Sequence, residues 1–431
     1  MKTNRKYKKI NVITLGCSKN IVDSEVLMGQ LRANNISVVH DSDEHTDAVI
    51  INTCGFVKDA KEESIDTILE QVEAKKAGYV KKVFVMGCLS QRYRKDLEKE
   101  IDLVDGFYGT NDMQKIITDL GIDFKKELVG ERMLTTPGHY AYMKISEGCD
   151  RTCSFCAIPL MRGKHVSRPE SEILGDALRL AAAGVKELIL IAQDLTYYGV
   201  DLNGKRSLAQ LINNISLIEG IGWIRLQYAY PTDFPLDLLE VIRDNPKVCK
   251  YIDMPLQHIS DPVLKSMRRF INKKRTLQLI DTIRGKLPGA AFRTTLIVGF
   301  PGETDADFQE LKEFVIQQQF DRLGVFTYSH EEGTRAYKLE DNIPEQVKIS
   351  RMEEIMQVQQ EISLAKNQQR IGSSMKVLID RKEGDYFIGR SEFDSPEVDN
   401  EVLVVRNPRI RVGEFYTAKI TGADYFDLYG I

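Results

Sequence analysis

Three cysteines, Cys149, Cys153 and Cys156, lie in the run Cys149-Asp150-Arg151-Thr152-Cys153-Ser154-Phe155-Cys156. The spacing is C-x3-C-x2-C, and no fourth cysteine lies nearby. Structural zinc takes four ligands, usually as two close pairs, whereas the nearest histidine here, His165, comes only after the triplet has ended. Three thiolates suit three irons of a cubane 4Fe–4S cluster and leave the fourth iron open. An open iron is a place for chemistry, while a cluster closed by four thiolates chiefly carries electrons. The triplet points to an enzyme that grips a small molecule on a cluster.

Cys17, Cys54 and Cys88 form a second candidate set, and only topology links them. Short apolar runs at 10–15, 48–51 and 83–86 read as strands, alternating with helical patterns at 21–31, 58–76 and 92–100. That alternation predicts a parallel, doubly wound α/β sheet. Each run leads to a glycine–cysteine pair: Gly16-Cys17, Cys54-Gly55 and Gly87-Cys88. Parallel strands end on one edge, where open α/β folds bind ligands, so the three thiols are expected to converge. Packing as small hydrophobic side chains is the alternative for each of them. Cys249 has no such company and reads as a packed residue.

Residues 121–138 lack a clear period and read as a linker between an N-terminal domain at 8–120 and a central domain at 139–369. In the central domain, strand patterns at 141–146, 187–192, 224–229, 251–255, 292–298 and 323–328 alternate with helices at 171–183, 208–217, 236–243, 274–284 and 305–319. Six βα units predict a partial TIM-like barrel with its site at the strand C-terminal ends. The first of these strands runs straight into Cys149. Residues 344–369 read as a long helix with Met352, Ile355, Met356, Val358 and Ile362 on one face. Short strand patterns follow at 375–380, 386–390, 402–405 and 416–423, predicting a small all-β, OB-like module at 370–431.

Composition bounds the function. The 431 residues are 42% hydrophobic and 28% charged with a net charge of −4, ordinary values for a globular protein without a basic field for nucleic acid. Seven cysteines in so long a chain favour metal ligation in a reducing cytoplasm over disulfides. The basic start at 1–9 precedes an apolar stretch of strand length only, which argues against a signal peptide. No run of about 18 apolar residues predicts a membrane span. Residues 371–431 hold eight basic and eleven acidic side chains, a poor match for RNA and a better one for a basic polypeptide. Weaker signals follow barrel strands: Gln193-Asp194, Gln257-His258 and the turn Gly299-Phe300-Pro301-Gly302-Glu303. These could contact a nucleoside, or merely hydrogen-bond their own loops.

The segment EGCDRTCSFCAIPLMRGKHVSRP resembles radical S-adenosylmethionine (SAM) enzymes of the methylthiotransferase family. TLGCSKNIVDSE, INTCGF and VMGCLSQRY are similar to that family's N-terminal domain, and the C-terminal module is similar to its TRAM domain. IDMPLQHISDPVLKSMRR, TTLIVGFPGETDADF, YSHEEGTRAY and GRSEFDSPEVDNEV resemble the branch that acts on a ribosomal protein. The tRNA-modifying branch shows a GCQMN-type segment where this chain has Gly16-Cys17-Ser18-Lys19-Asn20. The resemblance implies two 4Fe–4S clusters, one on Cys149, Cys153 and Cys156 and one on Cys17, Cys54 and Cys88. The first would chelate SAM and yield a 5′-deoxyadenosyl radical; the second would carry the sulfur.

The implied substrate is an aspartate of small-subunit ribosomal protein S twelve, modified at its β-carbon. tRNA adenosine methylthiolation is the alternative. Gln193, Asp194 and Glu303 are the candidate SAM contacts, no catalytic side chain is identified, and the electron donor would be a flavodoxin or ferredoxin. A non-catalytic protein with zinc at its cysteines and an RNA-binding OB-like module is the reading from another class.

Overall fold

The computed structural model describes residues 7–125 and 132–431. The basic start at 1–6 and the middle of the expected linker, 126–131, lie outside the described residues. Strands β1 (Lys9–Thr14), β2 (Ser37–His40), β3 (Thr46–Thr53), β4 (Val80–Gly87) and β5 (Gly106–Phe107) form a sheet in the order β2-β1-β3-β4-β5. Every pairing in it is parallel. The central strand β3 is buried along nearly its whole length, as a strand covered on both faces must be. Helices α1 (Ser18–Ala33), α2 (Lys58–Lys76), α3 (Cys88–Glu100) and α4 (Met113–Asp119) provide that cover. Leu27 and Met28 of α1 and Ile116 of α4 pack on one face, against Ile10, Ile50 and Phe84. Ile68 of α2 and Leu97 of α3 pack on the other, against Val49 and Val83. The short edge strands β2 and β5 have too few apolar residues to announce themselves in the sequence.

α1 is covered on a second side as well. Val22 packs with Tyr140, Tyr142, Ile189 and Ile191 of the central domain. This explains why Lys19, Asn20, Asp23, Ser24 and Glu25 are all buried on a helix that an isolated domain would expose.

The central domain holds β6 (Tyr140–Lys144), a small antiparallel pair β7 (Ser146–Glu147) and β8 (Val166–Ser167), then β9 (Glu187–Ile191), β10 (Trp223–Leu226), β11 (Tyr251–Asp253), β12 (Ala291–Val298) and β13 (Arg322–Thr327). The major strands run parallel as β6-β9-β10 and β11-β12-β13. A bridge from Ile224 to Val248 joins the halves into one arc of six strands. The β7/β8 pair closes the neck of the loop that carries Cys149, Cys153 and Cys156.

The C-terminal module is a closed barrel, β14 (Ser374–Glu383), β15 (Tyr386–Ser391), β16 (Val402–Val405), β17 (Phe415–Ala423) and β18 (Leu428–Gly430), in the order β14-β15-β16-β18-β17. β18 goes beyond the sequence reading and is the strand that closes the barrel. Part of the module's acidic excess is internal. Asp394 pairs with Arg322, and Asp399 stands 3.2 Å from Arg293. Arg390 links Asp380, at 2.6 Å, to Glu187 of β9, at 2.7 Å, and Glu187 also holds Arg225 of β10 at 2.7 Å. Asp394 and Asp399 thus face arginines of the strand arc, so these two carboxylates are engaged within the protein.

The long helix spans Glu345–Gln368, but its buried stripe is Lys348, Arg351, Ile355, Gln359, Ser363 and Asn367. Of the expected apolar face, Ile355 is buried and Met352, Val358 and Ile362 pack half-buried on the core, while Met356 is exposed. Polar side chains take the inner stripe because they reach specific acceptors. Gln359 donates to the Phe320 carbonyl at 2.9 Å, and Arg351 to Glu303 at 2.7 Å.

Candidate active site between two cysteine triplets

The barrel triplet sits on a pinned loop. The Cys149 N–H donates to the Gly163 carbonyl at 3.1 Å, and Ser154 ties the loop to Ser266 and Met267. Burial, helped by the neighbouring Cys153, pushes the Cys149 thiol up to about 11 and the Cys156 thiol up to about 12. Such thiols keep their protons until a metal replaces them, so loading the site releases protons. The sulfurs already have donors: the Arg151 N–H lies 3.4 Å from Cys149 Sγ, and Arg269 Nη1 and the Tyr230 hydroxyl each lie 3.5 Å from Cys153 Sγ. The guanidinium carbons of Arg151 and Arg269 stand 4.2 and 4.3 Å from the centroid of the same Tyr230 ring. Hydrogen bonds to sulfur and nearby cations are the means by which a protein tunes an iron–sulfur site.

Cys17 caps the start of α1, Cys54 follows β3, and Cys88 opens α3 directly after β4. The parallel register sets these chain ends on one edge. A Cβ built on Gly16 would lie 2.7 Å from Cys54 Cβ and 2.9 Å from its Sγ, so the bare glycine lets the Cys54 side chain sit against the Cys17 turn. The thiols act on one another: burial raises Cys54 and takes Cys88 up to about 12, and Cys17 pushes both further. Among the described residues no three His, Cys, Asp or Glu side chains gather closely enough for a single metal ion. A multi-iron cluster binds each thiolate to a different iron, so its ligands stand apart. Cys54 and Cys88 are buried, Cys17 is exposed, and Cys149, Cys153 and Cys156 are half-buried; three soft thiols with cations nearby are a donor set that fits such a cluster in both places.

The two triplets share one wall. Arg162 closes the short helix α5 (Ile158–Arg162), directly after the barrel triplet, and is buried. Its guanidinium donates to Asp23 at 2.8 Å, to Glu147 at 3.1 Å and to Asn20 at 2.5 Å, and its charge lowers the Cys88 thiol against burial. Lys144 pairs with both Asp23 and Glu147. Burial opposes ionisation of Glu147, but Lys144 and Arg162 hold its carboxyl down at about 2. On the sheet side, Lys19 lays its ammonium 3.2 Å from the centroid of the Tyr228 ring, just beyond β10.

Of the expected SAM contacts, Gln193 lies at this wall: it donates to Glu147 at 2.8 Å and keeps a buried carbonyl oxygen without a partner. Asp194 has both oxygens engaged, one by Thr196 and the other by Arg151 at 2.9 Å. Glu303 accepts from the Gly299 N–H at 2.9 Å and from Arg351, so it closes the glycine-rich turn on itself. His258 accepts from the Ser260 N–H at 3.0 Å, a loop-internal bond. Cys249 is buried with Trp223, Tyr251 and Leu378, away from both triplets. The sequence reading missed Lys19, Arg162, Arg269 and Tyr230. Lys19 and Arg162 were within reach of it, since each lies only a few residues past a candidate cysteine.

Three family models match the chain: an uncharacterized protein family, UPF0004, over 9–109, the radical SAM superfamily over 143–315, and the TRAM domain over 371–431. Among solved structures, the radical SAM methyltransferase TsrM from Kitasatospora setae aligns with a TM-score of 0.56 at 12% identity, covering 88% of this chain and 79% of that one. OxsB, a cobalamin-dependent radical SAM enzyme, aligns at 0.53 and 12% identity over 81% of this chain and 56% of its own. At such identities these show the fold alone. An arc of six parallel strands with a three-cysteine loop at its mouth defines a radical SAM enzyme, here carrying a TRAM barrel.

Relatives narrow this further. Ribosomal protein uS12 methylthiotransferase RimO of Cytophaga hutchinsonii is 58% identical over 98% of this chain and 97% of its own length. The proteins of that name from Bacteroides thetaiotaomicron and Chloroherpeton thalassium are 56% and 54% identical, over 98% and 99% of this chain and 98% of each relative. The chain belongs to the RimO family of methylthiotransferases.

Proposed function

We propose that the protein transfers a methylthio group to the β-carbon of an aspartate in ribosomal protein uS12. The observation that carries this reading is the shared wall between the two triplets, in a chain that matches uS12 methylthiotransferases from end to end. Cys149, Cys153 and Cys156 would hold one 4Fe–4S cluster and Cys17, Cys54 and Cys88 a second. When bound, these clusters and SAM supply radical hydrogen abstraction and the sulfur and methyl groups, with electrons from a flavodoxin or ferredoxin.

The chain's own residues supply position and shelter. Arg151 and Arg269 flank Tyr230 and donate to the barrel sulfurs, stabilising negative charge there. Arg162 and Lys144 pair with Asp23 and Glu147 at the wall, which fixes one triplet relative to the other. Gln193 leaves one oriented carbonyl oxygen as an acceptor for the amino group or nucleoside of SAM. Burial of the wall keeps water from a reactive centre. No described helix is long and apolar enough to cross a membrane, and we place the reaction in the cytoplasm, where ribosomal protein is made.

The test is anaerobic incubation of reconstituted protein with SAM, a reductant and either uS12 or tRNA, followed by mass spectrometry. A methylthio increment on uS12 is expected. An increment on tRNA alone would overturn the substrate.

A further inference from the structure

We propose that the ammonium of Lys19 is the anchor for the side-chain carboxylate of the substrate aspartate, and so selects aspartate over uncharged residues. This rests on the methylthiotransferase reading above. Among the described residues two lysines are buried, Lys19 and Lys348. Lys348 stands 2.8 Å from Asp341. Lys19 makes no hydrogen bond or ion pair with a described residue and rests only on the Tyr228 ring. Its nearest carboxylates are engaged elsewhere. Asp253 accepts from the Tyr228 N–H and from Arg293, each at 3.0 Å, and Glu147 accepts from Gln193, Lys144 and Arg162.

A largely buried lysine with no carboxylate partner is costly even with the Cys17 sulfur nearby, and an arriving carboxylate would offset that cost. The aromatic face below it favours a cation and leaves its N–H groups free to donate. The position also fits the chemistry. Lys19 sits two residues after Cys17, at the start of α1, and close enough to Asp253 at the end of β11 to feel its charge. It therefore reaches from the N-terminal sheet over the mouth of the strand arc. The hydrogen to be replaced lies on the carbon next to the carboxylate, so holding that group between the triplets presents this carbon to both.

The test compares uS12 with uS12 carrying Asp→Asn at the target position, using wild type, Lys19→Gln and Lys19→Arg proteins. For wild type, kcat/KM should favour aspartate by about 100-fold or more, the scale of a buried charge pair. Lys19→Gln should shrink that preference below about 10-fold, and Lys19→Arg should retain most of it. A lysine that only balanced charge at the N-terminal triplet would slow both substrates alike, leaving the ratio unmoved. An unchanged ratio in Lys19→Gln would overturn the proposal. If that variant does not fold, binding by wild type decides. The Asp→Asn protein should bind at least about 10-fold more weakly, and equal binding would overturn the proposal. Wild type that makes no product on uS12 would instead reject the methylthiotransferase reading itself.

Discussion

The two cysteine triplets offer similar thiols on different foundations. Cys149, Cys153 and Cys156 share one loop, and their sulfur donors, Arg151, Arg269 and Tyr230, come from the same domain. Cys17, Cys54 and Cys88 arrive one per strand end, and the guanidinium that lowers Cys88, Arg162, belongs to the neighbouring domain. The first site needs one loop and the barrel beneath it. The second needs a parallel register across three strands and then a docked partner. A site built from the edge of a sheet is therefore the more exposed to changes far from its ligands.

The largest break in this comparison is Cys149→Ala. It should reduce both 5′-deoxyadenosine formation and methylthio transfer to background, as measured by liquid chromatography and by mass of uS12. The N-terminal site should keep its iron.

Arg162→Met is the next, and it should act in the opposite direction. Asp23 and Glu147 lose a buried partner, although Lys144 remains, so stability should fall by about 3 kcal/mol in urea unfolding. Iron should be lost first from the N-terminal site, because that site borrows this charge.

Glu331→Gln tests the weaker seam between the domains. Glu331 stands 2.9 Å from Lys61 and 2.5 Å from Arg92, which also donates to the Gly55 carbonyl beside Cys54. Burial raises the Glu331 carboxyl, but bonds from Ser329, Lys61 and Arg92 outweigh it and leave the group below its ordinary value. A carboxyl depressed on folding adds stability above its unfolded pKa of about 4.3, and that stability is lost as pH falls through the folded value. The variant should be less stable by about 2 kcal/mol near neutral pH, and the difference should shrink below about pH 4 in thermal unfolding.

The same contrast explains what the sequence disclosed. The barrel triplet is legible by inspection because its spacing is local. The N-terminal triplet is legible only through the strand ends, where glycine–cysteine pairs mark the turns. Lys19 and Arg162 were not, because their significance lies in what they face across a domain boundary. The polar buried stripe of the long helix escaped for the same reason: Lys348, Arg351 and Gln359 look solvent-facing until their acceptors are known. The charge of the C-terminal module was legible, but not that Asp394 and Asp399 are spent on barrel arginines. β18 was too short to register, yet it closes that barrel.

We propose that the two triplets divide the labour, and Cys17→Ala separates their roles. The variant should be reconstituted and assayed in one reaction for iron, 5′-deoxyadenosine and methylthio-uS12. Expected are a fall from about eight to about four irons per chain, SAM cleavage largely retained and methylthio transfer abolished. A folded variant that lost both activities, or a wild-type protein that took up only about four irons, would contradict that division.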